Sequence, residues 1–321
     1  MSRVLLEVEN LKTYFPVKEG VFKKTTGYVH AVDDVSFKVN EQETFALVGE
    51  SGCGKSTTGM SILRLIEPTA GSVLFEGQDV LKLSAEELRK KRRDMQLIFQ
   101  NPYSSLNPRM TVKRLMEEPL KTHFKMSQKE LDEQVFQTAD KVGISKDQLE
   151  RYPHQFSGGQ RQRISIARAI ISRPRFVVAD EPVSALDVSI QSQILNLLIQ
   201  LQMDLKLTYI FISHDLNVVR HLSNSVAVMY LGRIVETGLS EEIFKNPMHP
   251  YTQALLSAVP SKDPLNKKKR IILQGDVPSP VNPPEGCPVF ARCNRAMDVC
   301  KQQRPVLKAM SGTHRTACHL Y

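Results

Sequence analysis

TFALVGESGCGKST, residues 44–57, decides how the rest of the chain is read. An apolar run, "TFALV", leads straight into a glycine-rich loop. The loop fits G-x-x-x-x-G-K-[ST], with Gly49, Gly54, Lys55 and Ser56 at the fixed positions. Glu50, Ser51, Gly52 and Cys53 fill the interval, and Thr57 follows. Glycines at such a turn let backbone N–H groups approach phosphate oxygens. A lysine reaches the β- and γ-phosphates, and a serine hydroxyl serves Mg²⁺. A helix beginning here adds positive potential at its N-terminus. The bland alternative is a glycine turn with an incidental lysine; the strand before and the helix after weigh against it. Cys53 is a small loop filler rather than a nucleophile.

The segments around this loop alternate in type. "LLEVENLKTYF" and "AVDDVSFKV" have strand character, while residues 84–97 and 111–150 are charged and helical, with breakers around "NPYSSLNP". "RFVVADE" and "TYIFISHD" are short apolar strands, separated by the helix "VSIQSQILNLLIQLQMDL". In that helix Ile190, Ile194, Leu197, Leu198 and Leu201 recur at helical spacing and are assigned to the core. Ile164, Ala167 and Ile171 form a similar face on the preceding helix. Strands alternating with helices predict a doubly wound, largely parallel α/β sheet. From about residue 244 the periodicity fades and Pro and Lys rise, marking an appended region.

A second cradle stands far from the first. In "FSGGQ", Ser157, Gly158, Gly159 and Gln160 again combine a hydroxyl, open backbone N–H groups and a following helix. Plain capping of that helix by Ser157 is the structural alternative and is compatible with binding. "FVVADE" supplies carboxylates: Asp180 at a strand end is suited to Mg²⁺, and Glu181 to polarising water. His214 ends the next apolar strand and Gln100 follows "MQLIF". Taken singly, each is an ordinary strand-end or surface residue. Parallel strands ending together would gather them at one edge.

The chain has 321 residues, 41% of them hydrophobic, enough for a substantial core. No apolar run of about 18 residues is present, so no bilayer span is expected. Acidic residues within the first seven positions of "MSRVLLEVEN" leave no room for a signal-peptide apolar stretch. A cytoplasmic protein is expected, with any membrane link made through a partner. Net charge is +9, and residues 261–321 hold eleven Lys+Arg against four Asp+Glu, so most of the excess lies in the tail. Such a tail can meet nucleic acid, an anionic membrane surface or an acidic partner, or simply be a solvated basic surface. No zinc-finger spacing or aromatic-rich basic repeat supports nucleic acid. Cys287, Cys293, Cys300 and Cys318 crowd into the same tail. In a reducing compartment, clustered thiols suggest a metal or redox site before disulfides. By ligand chemistry they can hold zinc, an iron–sulfur cluster or nothing.

Phosphate loop, Gln100, "SGGQ", "FVVADE", "SALD" (Ser184 to Asp187) and His214 occur in one order. Over residues 4–240 that order resembles the ATP-binding subunits of ABC transporters, with Phe156 where the signature usually has leucine. The resemblance implies a P-loop NTPase (RecA-like) core with an antiparallel β subdomain and a helical ABC subdomain at about 101–165. The cassette would occupy residues 1–243, with a small cysteine-containing C-terminal extension at 244–321. It implies ATP and Mg²⁺ as ligands, with the metal held through Ser56, Gln100 and Asp180. Glu181, His214 and Gln100 become the hydrolytic residues, and Asp187 the D-loop acid. It also explains the second cradle: two cassettes face each other head to tail, and the signature of one caps the ATP held by the loop of the other. An aromatic residue before the loop stacks on adenine in this family; Tyr28 is the nearest, with Phe22 as rival.

Only 56 residues separate Gln100 from Ser157, which leaves no room for the coiled coil of chromosome-maintenance relatives. "QNPYSSLNPRMTV", "RYPHQFSGGQRQRI", "HPYTQALLSAVP" and the cysteine tail resemble the ATPases of bacterial oligopeptide/dipeptide importers across essentially the whole chain. That implies a peripheral protein on the cytoplasmic face of the membrane. Its expected partners are a second, different ATPase, two transmembrane permeases and an extracytoplasmic solute-binding protein. Nickel or another small solute is the alternative cargo, and a nucleic-acid-associated ABC ATPase the distant one. The resembling ATPases carry a [4Fe–4S] cluster at cysteines patterned like these four; zinc or no metal remain the alternatives.

Overall fold

The computed structural model describes residues 3–20, 24–259 and 270–321. Its contacts divide the chain into two units. One comprises Met1–Arg3, Asn40–Glu43 and Lys82–Ile212; the other comprises Val4–Val39, Thr44–Leu81 and Ser213–Tyr321.

The second unit holds the phosphate loop. One of its sheets runs in the order Lys24–Asn40, Val4–Glu19, Ala70–Phe75, Gln78–Asp79. Val4–Glu19 and Ala70–Phe75 are antiparallel, with Leu6 opposite Phe75 and Val8 opposite Val73. All four of these side chains are buried, while Glu9 on the other face is exposed, the period-two pattern of a half-buried strand. The strand Thr44–Val48 is buried at every position and lies parallel to Ser225–Tyr230, with Phe45 opposite Ser225. Burial on both faces explains why it is a continuous apolar run rather than an alternating one. Ser225–Tyr230 pairs antiparallel with Arg233–Leu239, and that strand with His314–Thr316 near the C-terminus. The tail is therefore built into the same sheet as the strand that feeds the phosphate loop.

In the first unit, Met95–Ile98, Phe176–Asp180 and Thr208–Ser213 are parallel neighbours, with Met95 opposite Phe176 and Phe176 opposite Thr208. Helices Val112–His123, Gln128–Lys141, Gly158–Ile170 and Val188–Leu205 accompany them. Ser127 and Glu130 close a capping box that starts Gln128–Lys141. Gly158–Ile170 buries Ile164, Ala167 and Ile170 and packs tightly on Val188–Leu205. A β-carbon at Gly159 would lie 2.6 Å from the Ile190 Cγ2 methyl, so glycine permits that approach.

The expected α/β class with parallel central strands is present. Two local expectations change. The helix expected over 84–97 ends at Lys91, and Met95–Ile98 is the strand whose end was expected just before Gln100. Its charged first half has a capping box from Ser84 and Glu87, whereas "MQLI" gains more by burial beside Phe176–Asp180. Of the five apolar residues assigned to the core on Val188–Leu205, Ile194, Leu198 and Leu201 are buried, but Ile190 and Leu197 are only half-buried. Among the described residues no helix is long and apolar enough to cross a membrane.

Candidate nucleotide site

The phosphate loop takes its shape from close backbone approach. Gly54 stands before the helix Lys55–Ile62 with φ 103°, and a β-carbon there would lie 2.0 Å from the Ala31 carbonyl oxygen. At Gly49 a β-carbon would lie 2.3 Å from the Met229 carbonyl oxygen. Main-chain atoms of neighbouring strands thus occupy the space of any side chain, and only glycine fits. Lys55 is buried, and its Nζ donates to the Gly49 and Glu50 carbonyls, both at 2.9 Å. Ser56 and Thr57 open the helix, half-buried, and Ser51 and Gly52 are exposed at the loop tip. The loop is thus a cradle of backbone N–H groups and one ammonium, which fits a polyphosphate. Burial pushes the Cys53 thiol up, with Lys55 opposing, so it stays protonated and acts as filler. Tyr28, on Lys24–Asn40, is exposed; its N–H donates to Asn282 Oδ1 and its carbonyl accepts from Asn282 N–H. Phe22 lies outside the described residues. His214 follows Thr208–Ser213 and is exposed.

The other unit brings the carboxylates and the glutamine together. Asp180 is the last residue of Phe176–Asp180 and is buried. Glu181 follows in a left-handed conformation, φ 43°, an arrangement that costs a non-glycine residue about 1–2 kcal/mol. Its N–H donates to Ile212 O at 3.0 Å. That turn re-aims the side chain, and Gln100 Nε2 donates to Glu181 Oε2 at 2.9 Å. Gln100 itself is exposed, two residues past Met95–Ile98. The oxygen atoms of Ser56, Asp180 and Gln100 are hard donors suited to Mg²⁺. Asp187 begins Val188–Leu205 without a side-chain capping bond. Gln191, which the sequence reading passed over, donates through Nε2 to the carbonyls of Val183 and Leu186 and so pins "SALD". Only its position one turn into the helix could have pointed to this.

Ser157 caps Gly158–Ile170 by accepting from the Gln160 N–H, while Gln160 Oε1 accepts from the Ser157 N–H. No acidic residue stands in the first turn, so the positive end of the helix is not neutralised from within. Phe156 is buried, which makes the departure from leucine a packing choice. Arg161 anchors the turn before the helix through the Pro153 and His154 carbonyls and covers the Tyr103 ring at 4.0 Å.

Comparison with known proteins decides the family. A family model described as ABC transporter matches residues 32–184, and one described as the C-terminal region of oligopeptide/dipeptide transporters matches residues 235–300. The Oligopeptide transport ATP-binding protein AppF of Bacillus subtilis is 51% identical over 100% of this chain and 98% of its own length. The Dipeptide transport ATP-binding protein DppF of Escherichia coli is 49% identical over 97% and 93%. The chain belongs to the ABC transporter ATP-binding family. Among solved structures, the dimeric post-hydrolysis cassette MJ0796 bound to ADP and Pi has a TM-score of 0.65 and 28% identity, covering 73% of this chain and 98% of that one. Family membership makes ATP and Mg²⁺ the ligands and ATP hydrolysis the chemistry of this ABC ATPase.

The cysteine tail holds the four thiols for which a cluster, zinc or no metal was expected. Cys287 and Cys300 are buried, Cys293 and Cys318 half-buried, and all are free thiols. The Cys287 N–H donates to the Cys300 carbonyl at 2.7 Å. Burial pushes the Cys287 thiol up to about 11, with the other three thiols adding repulsion. Burial likewise raises Cys318. The thiols are neighbours, yet among the described residues no group of three or more His, Cys, Asp or Glu side chains is placed to hold a metal ion. The structure therefore gives no support of its own to the expected iron–sulfur or zinc site.

Proposed function

We propose that this ABC ATPase powers import of oligopeptides or dipeptides as one of two facing cassettes, with residues 1–243 as the cassette and 244–321 as its extension. The observation that carries the hydrolytic assignment is the bond from Gln100 to Glu181. It orients a carboxylate at the end of the strand that also presents Asp180. Glu181 takes the proton of the attacking water, and His214 holds the γ-phosphate. Lys55 and the loop N–H groups hold the phosphates, and Tyr28 stacks on adenine. Ser56, Gln100 and Asp180 are the residues that would hold Mg²⁺, which would neutralise phosphate charge. Ser157, Gly158, Gly159 and Gln160, with Asp187, serve ATP on the partner cassette, so closure depends on contacts made only in the dimer.

The cargo is supported by the relatives, named for oligopeptide and dipeptide transport, and by the match to the C-terminal region of such transporters. We assign the partners as a second, different cassette, two permeases and an extracytoplasmic binding protein, on the cytoplasmic face of the membrane.

Glu181→Gln tests the chemistry. ATP binding should persist while turnover of the assembled transporter falls about 10²- to 10⁴-fold; unchanged turnover removes Glu181 from its role. The same variant, tagged and held with Mg·ATP in host membranes, should recover two permeases and a distinct cassette. Recovery of self-pairs alone sinks the importer assignment. The iron–sulfur reading rests on the four thiols alone; anaerobically purified protein that is colourless and iron-free ends it.

A further inference from the structure

Glu50, the second residue of the phosphate loop, is held at every polar group it has. Its carbonyl accepts from Lys55 Nζ. Its N–H donates to Tyr251 Oη at 3.0 Å. Its carboxylate receives Arg292 in a two-point contact, Nη1 to Oε2 at 2.7 Å and Nη2 to Oε1 at 3.2 Å. Two of these partners come from the C-terminal region. Tyr251 lies on the helix Pro250–Ser257 and is fully buried. Arg292 lies in the turn Phe290–Arg292, with its side chain only 10% exposed. Tyr230 joins them: Tyr251 meets its ring edge-on at 4.7 Å, and the Arg292 guanidinium lies 5.9 Å from its centre.

We infer that Arg292 and Tyr251 are positioning residues for the phosphate loop, so that the C-terminal extension is a working part of the ATP site. This rests on the assignment of residues 49–57 as the phosphate loop. A planar guanidinium meeting a carboxylate at two points fixes direction as well as distance, and removal from water strengthens the contact. The clamp grips Glu50 at its carboxylate and at its N–H, the N–H of the same peptide group whose Gly49 carbonyl holds Lys55. A loop already ordered loses less conformational freedom when phosphate arrives, which raises affinity without a new ligand contact. The extension reaches the site at a second place, where Val281 bridges Val29 and Asn282 exchanges hydrogen bonds with Tyr28. The turn carrying Arg292 is braced by the cysteine segment: Phe290 N–H donates to Cys287 O, and Cys293 N–H to Phe290 O. The tail thus contributes geometry to the loop through its own fold.

Full-length protein, titrated with a fluorescent ATP analogue and Mg²⁺, tests this in a double-mutant cycle. Arg292→Ala and Glu50→Ala should each weaken binding about tenfold, the scale of one charged hydrogen bond. The double variant should bind no worse than the weaker single, because both remove one contact. Arg295→Ala, which removes an exposed charge from the same tail, should bind as wild type. Tyr251→Phe keeps the buried ring, and should weaken binding in the same direction even if Arg292→Ala folds poorly. Wild-type affinity in both Arg292→Ala and Tyr251→Phe, or additive losses in the double variant, overturns the inference. Wild-type protein that binds no better than Lys55→Ala would instead overturn the loop assignment, and this inference with it.

Discussion

Alanine placed at two glycines of the same loop should have very different consequences. Gly52 and Gly54 both have positive φ, 78° and 103°. A left-handed conformation costs an L-residue about 1–2 kcal/mol. At Gly52 nothing lies within 4 Å of an added β-carbon, so that cost is the whole effect. At Gly54 the β-carbon meets the Ala31 carbonyl oxygen at 2.0 Å, and that oxygen belongs to the main chain of Lys24–Asn40. Relieving the overlap moves a strand or the loop, a further cost of about 1–3 kcal/mol on the scale of overpacked cores. Gly54→Ala should therefore cost about 2–5 kcal/mol in all. At roughly 2–4 °C per kcal/mol, Gly52→Ala lowers Tm by about 2–8 °C and Gly54→Ala by about 4–20 °C. Nucleotide affinity should follow, because Gly54 begins the helix whose first residue is Lys55. Circular dichroism melts and titration with Mg·ATP measure both quantities. Equal damage from the two substitutions, or wild-type behaviour of Gly54→Ala, would refute the reasoning.

Other outcomes follow from the same contacts. Burial drives the His249 pKa down to about 4. The unfolded chain, at about 6.5, takes up a proton that the folded chain refuses, so stability is full above pH 6.5 and erodes as pH falls towards 4. The loss is on the order of 3 kcal/mol. His249→Asn keeps an acceptor for the Tyr251 N–H, and its urea midpoint should change less between pH 7.5 and 5; parallel curves would remove His249 as the cause. Ser157→Ala should cost about 1 kcal/mol by loss of the cap, whereas Ser157→Asp preserves it. If Ser157 also binds the partner's ATP, both variants lower turnover of the assembled transporter, and wild-type turnover in Ser157→Asp limits the serine to capping.

Short-range chemistry is what the sequence by itself determined. The phosphate loop, the Ser157 cap and the buried strands Thr44–Val48 and Phe176–Asp180 are all set within a few residues, where spacing equals geometry. Motif order carried the family for the same reason: each motif is a local object, and the chain preserves their sequence. Tertiary structure alone decided what lies across the chain. Arg292 stands 242 positions from Glu50, yet their charged groups meet at 2.7 Å. Gln100 reaches Glu181 across 81 positions, at a residue held in a left-handed turn. The four tail cysteines belong with these: the placing of four sulfurs around one point depends on how a loop packs, which spacing does not encode.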